Sequence, residues 1–94
     1  MVTHVVMLNA KDKSAIPEIA GLIKAMEGKI PELKGIEVGI NAISAERNFD
    51  VILIARFDSW EDLDKYQVSE YHVEHVLKYL KELTVKSVAC DFES

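Results

Sequence analysis

Residues 49–80 read FDVILIARFDSWEDLDKYQVSEYHVEHVLKYL. The first nine, Phe49 to Phe57, predict a strand that is rich in β-branched and aromatic side chains and carries neither proline nor glycine. Its residues are apolar on both faces, with Val51, Leu53 and Ala55 on one side and Ile52 and Ile54 on the other. Asp58 and Ser59 end that alternation. Ser59 with Asp62 resembles a capping box that opens a helix at Trp60. A break at Gln67 to Ser69 follows, and Ser69 caps a second helical piece. There Val73, Val76, Leu77 and Leu80 recur at helical spacing and predict one apolar stripe. His72 falls at the edge of this stripe and His75 on the other side. The stretch from Trp60 to Leu80 holds the only tryptophan, all three tyrosines and two of the three histidines.

Outward from this stretch, the remaining elements follow. Val2 to Ala10 predicts a strand, with His4, Val6 and Leu8 on one face and Val5 and Met7 on the other. Lys11 to Ser14 is a polar turn in which Ser14 is the expected helix cap, with Pro17 tolerated in the first turn. Ile16, Ile19, Ala20, Ile23, Met26 and Ile30 keep helical period, ending near Gly28 and Pro31. Gly35 to Ile43 alternates as a second strand, with Ile36, Val38, Ile40 and Ala42 on one face. Thr84 to Phe92 predicts a fourth strand, with Val88, Cys90 and Phe92 alternating inward.

The order is βαββαβ, an α+β chain of the ferredoxin-like or split-βαβ type with a four-stranded antiparallel sheet, in one domain over residues 1–94. The first and third strands lie centrally in that topology, and they are the two most apolar runs. Two crossover helices of one hand cover a single face of the sheet. The other face needs a partner, and a homodimer with two sheets packed face to face satisfies the pattern.

The composition narrows the function classes. Nearly half of the residues (49%) are hydrophobic, ample for a core, and the formal charge is 11 − 16 = −5 without a basic cluster. That argues against nucleic acid or an anionic membrane as partner. The acids Glu46, Asp50, Asp58, Glu61, Asp62, Asp64 and Glu70 read as a solvated surface. One cysteine excludes an intrachain disulfide, and the apolar run Val5 to Leu8 is too short for a signal or membrane segment. The expected location is cytoplasmic.

THVVMLNAK at the start, GIEVGIN in the second strand, FDVILIARFDSWEDLDKY in the third strand and helix, and the DFE ending resemble the stress-responsive A/B-barrel (Dabb) family over essentially the whole chain. The family's most diagnostic piece is an aromatic residue followed by a short H-P-x-H segment; here that segment is Ser69-Glu70-Tyr71-His72, which keeps the second histidine and replaces the first histidine and the proline. The resemblance implies a dimeric α+β barrel. It also implies two kinds of function. Some members resemble stress-protective proteins without established chemistry, whereas a plant member, olivetolic acid cyclase, closes a polyketide by aldol condensation with a tyrosine and a histidine. That pair matches Tyr66 and His72, and the cyclase's first-strand histidine matches His4. Another of its pocket histidines falls near Val51 and is absent.

The site expected from these residues consists of His72, Tyr66 and His4 beneath the helix break, holding a small, largely apolar organic molecule. His72 would be a base next to a carbonyl, Tyr66 the donor to the enolate oxygen, and His4 a neighbouring polar group. Each also has a plain structural reading: a satisfied buried imidazole for His72 and His4, core packing beside Leu63 for Tyr66. A different class of function is a non-enzymatic stress or assembly dimer. A haem-degrading oxygenase on the same barrel would draw on Asn9, Trp60 and His72. No cofactor is expected. His72 and His75 form H-x-x-H, but no third ligand stands at matching spacing, so no metal is expected either. Trp60, Tyr71 and Tyr79 read as packing or interface residues, and Cys90 as an inert inward thiol.

Overall fold

The strand Val2–Ala10 (β1) lies at the heart of a four-stranded antiparallel sheet in the computed structural model, which describes residues 1–94. The sheet order is β2-β3-β1-β4, with β2 at Gly35–Ile40, β3 at Val51–Phe57 and β4 at Thr84–Glu93. Both strands expected at the centre are there. Register fixes which side chains share a face, because directly opposed residues point the same way. Val6 faces Leu53 and Ala89, His4 faces Ala55 and Asp91, and Leu8 faces Val51 and Ser87.

The helices lie on that face. Helix α1 (Ile16–Lys24) buries Ile19 and Ile23, and α2 (Trp60–Val68) buries Leu63 and Tyr66. A π-helical turn over His72–Leu77 runs into α3 (Lys78–Leu83) and buries His72, Val76 and Leu80. With Leu8, Val51, Leu53, Ala55 and Phe57 from the strands, the apolar ones among these side chains form one core. The opposite face of the sheet has no layer on it. Met7, Val88 and Phe92 are exposed there, and Val5, Ile52 and Ile54 are only partly buried.

Several local expectations need correction. Asp12, not Ser14, opens the first helical segment: its carboxylate accepts from the Ser14 N–H at 2.9 Å and from the Ser14 hydroxyl at 2.8 Å. An aspartate two residues upstream reaches the orphan N–H groups of the turn Lys13–Ala15 as well as serine would. Strand β2 stops at Ile40 instead of reaching Ile43, because Asn41 and Asn48 donate side-chain N–H groups to the Ile43 carbonyl and fold the chain into a loop. Val73 leaves the apolar stripe and is exposed. The π turn bonds i to i+5 and is wider than an α turn, so the buried positions run 72, 76, 80. Cys90 points away from the helices, opposite Val5, and is exposed.

Asp50 is the largest departure. It is not a surface acid: only 7% of it is exposed, and its carboxylate accepts from the Ala10 N–H at 2.9 Å and from the Lys13 ammonium at 2.7 and 2.8 Å. The Lys13 hydrogen bond holds its carboxyl below the usual range. Its own N–H donates to the Leu8 carbonyl and the Asn9 side chain. Asp50 thus fastens the loop before β3 to the end of β1.

Candidate functional site

The helix break expected at residues 67–69 is what brings the candidate residues together. Ser59 caps α2 by accepting from the Asp62 N–H at 3.1 Å, and Ser69 caps the next segment by accepting from the His72 N–H at 3.2 Å. The chain bends between the caps, so Tyr66 at the end of one helix and His72 at the start of the next both turn to the sheet. Their ring centroids are 4.3 Å apart. His4 rises from β1 with its ring 6.0 Å from Tyr66, edge to face, and Phe57 packs 4.9 Å from the same phenol ring. The three residues singled out in the sequence therefore form one row of rings.

Each ring is held by a second group. The His72 Nδ1–H donates to the Gln67 carbonyl at 3.3 Å across the break. The His4 Nδ1–H donates to the Asp91 carboxylate, its cross-strand partner on β4. Nδ1 is thus occupied in both imidazoles, and a neutral ring with a proton on Nδ1 presents a lone pair at Nε2. No buried side-chain nitrogen or oxygen lacks a partner, so these Nε2 atoms, unbonded within the chain, reach accessible space. Burial lowers the pKa of His72, and the neighbouring His4 acts in the same direction, although the Gln67 hydrogen bond opposes it. The ring is a neutral base at neutral pH. Burial pushes the Tyr66 phenol up, so it keeps its proton. The Tyr66 hydroxyl donates to the Met26 thioether at 3.7 Å, a weak acceptor, and both side chains are fully buried.

These groups open on a cavity of about 430 Å³ between the helices and the sheet. His4, Tyr66 and His72 line it, amid Val6, Leu53, Val76 and Leu80. A half-open apolar space with a few convergent polar groups has the form of a small-molecule site. Asn9 and Trp60 do not line it. Asn9 is bonded to the Asp50 N–H, and the Trp60 indole donates to Glu93 at 3.0 Å on the surface. His75 is exposed and stacks on Tyr71 at 5.0 Å, so the H-x-x-H pair splits between the inside and outside of the helix.

Three contributors escaped the sequence reading: Asp91, Met26 and Lys81. The Asp91 role follows only from the β1–β4 register. Alternation on β4 already sets Asp91 on the face opposite Cys90, but nothing local pairs it with His4. Met26 lies beyond the end of α1 at Lys24 and is fully buried against Tyr66.

The architecture defines a ferredoxin-like α+β protein with a ligand-sized cavity on the helix-covered face of its sheet and an uncovered face behind. The model of the Stress Responsive A/B Barrel Domain matches residues 2–94, and the chain belongs to that family. Among solved structures, it is similar to a dimeric Bacteroides fragilis protein of unknown function and ferredoxin-like fold, at 26% identity and a TM-score of 0.82, covering 99% of this chain and 95% of that one. An Arabidopsis thaliana protein superposes with a TM-score of 0.85 at 22% identity, covering 100% and 95%. The hydroxynitrile lyase of Passiflora edulis superposes at 0.81 with 19% identity, covering 97% and 90%. No curated protein sequence matches the chain.

Proposed function

We propose that the protein is a homodimer that binds a small, largely apolar organic molecule in the cavity and moves a proton next to the ligand's carbonyl group. The observation that carries this reading is the convergence of His72, Tyr66 and His4 on one apolar cavity, each histidine tied at Nδ1. The His72 Nε2 takes the proton from the carbon beside the carbonyl. The Tyr66 phenol, kept protonated, donates to the oxygen on which negative charge develops. His4, oriented by Asp91, supplies a second polar contact. No step needs a cofactor or metal. The dimer forms through the uncovered sheet face, where Val5, Met7, Ile52, Ile54, Val88 and Phe92 are together too large an apolar patch to leave in water. The dimeric state of the similar Bacteroides fragilis protein supports this assembly.

The test is hydrogen exchange. Aliphatic methyl ketones incubated with the protein in deuterated water are expected to exchange the protons beside the carbonyl faster than in buffer, read by NMR. His72→Ala and Tyr66→Phe should each return the rate to background while keeping the fold. Exchange that survives both substitutions would refute the assignment.

A further inference from the structure

The cavity has two unlike ends. One is the imidazole and phenol row at His4, Tyr66 and His72; at the other, Lys81, Thr84 and Ser87 line the wall. The sheet floor sets their separation. Ser87 lies opposite Leu8, and Leu8 is four residues along β1 from His4. At about 3.4 Å per residue the ends are about 14 Å apart. The helical roof runs the same way, with His72 at the start of the π turn and Lys81 nine residues on, in α3. The two runs lie alongside one another: the Leu83 carbonyl at the end of α3 accepts from the Lys11 N–H at 2.9 Å, just past the end of β1.

Charge is distributed unevenly between these ends. Lys81 carries the only ammonium group on the lining, and no carboxylate residue lines the cavity. Lys81 takes part in none of the chain's ion pairs, and the Ser87 hydroxyl in none of its side-chain hydrogen bonds. The Thr84 hydroxyl is already committed to the Leu80 carbonyl at 2.7 Å. An exposed ammonium and an exposed hydroxyl, neither engaged within the chain, at the edge of an apolar cavity fit a carboxylate. The negative end of α3 opposes an anion there with about half a charge, less than the full charge of Lys81.

Resting on the reading of the cavity as a ligand site, we infer that the ligand is an amphipathic carboxylic acid. Its carboxylate lies at Lys81 and Ser87, its apolar body fills the channel past Leu80 and Val76, and its reacting carbonyl lies at His72 and Tyr66.

Calorimetric titration with octanoate and octanol, which share a tail and differ in head group, tests this. Octanoate is expected to bind about fivefold more tightly than octanol at low salt, about 1 kcal/mol at 1.4 kcal/mol per decade. Lys81→Met keeps an aliphatic stem at an exposed position and removes the charge, so it should erase that preference. Octanol binding as tightly as octanoate, or octanoate binding that Lys81→Met leaves intact, would overturn the acid assignment with the cavity still a ligand site. Binding of neither compound at millimolar concentration would overturn both.

Discussion

Ile54→Asp is expected to split the dimer. Ile54 lies on the uncovered face of a central strand, opposite Val5 on β1 and Glu37 on β2. A standard interface removes about 800 Å² from each partner. That is about one seventh of the 5842 Å² accessible on the isolated chain. In the dimer each new carboxylate is buried without a partner, at about 3 kcal/mol, and about 2 kcal/mol of isoleucine burial is lost with it. Twofold symmetry doubles both penalties. The combined effect of about 10 kcal/mol weakens association by about seven orders of magnitude, so even a nanomolar dimer dissociates at micromolar concentration. Within the protomer the cost is small, about 1 kcal/mol of strand preference, because Ile54 is only partly buried there. Sedimentation velocity at about 10 μM is the assay, with circular dichroism to check the fold. A wild-type monomer of normal stability, or an Ile54→Asp protein that stays dimeric, would refute the reasoning.

Three further outcomes are expected. Asp50→Ala should destabilise by about 1–3 kcal/mol in urea unfolding, because it strands the Ala10 N–H, whereas Asp50→Asn keeps an acceptor oxygen and should lose less than half of that. Stability should fall as pH drops below 6.5, the ordinary histidine value, because the unfolded chain gains the His72 proton there while the folded chain, with its pKa lowered, does not. The effect ends once pH passes the lowered value, and His72→Phe should flatten this part of the stability profile. His4→Ala should cost about 1–2 kcal/mol, since it opens a central strand beneath Tyr66 and removes the Asp91 partner. His72→Ala should cost less, because His72 stands at the start of a helical segment after the break and not on a central strand of the sheet. Thermal melts of the two variants decide the order.

The order of elements, the central place of the first and third strands, the two serine caps and the helix break were legible in the residues themselves. The elements, caps and break depend on local periodicity and capping, which operate within a few positions of the chain, and the central place of the two strands follows from the βαββαβ order they make. The same holds for Tyr66 and His72, which lie only six residues apart on either side of the break. What lay out of reach depends on contacts distant in sequence. Asp50 looked like any surface acid until β3 brought it to the Ala10 N–H and Lys13. Cys90 alternates correctly, but which face is inside is decided by the side on which the helices dock. Val73 fits a regular helix, and only the wider π turn rotates it into solvent. Asp91 becomes the partner of His4 through strand register across 87 residues, and Lys81 becomes the far end of the cavity because α3 runs alongside β1. Sequence by itself determined which segments are strands and helices, because each chooses its conformation from its own near neighbours. Tertiary structure alone decided which polar groups meet, because register and docking are properties of segments packed together.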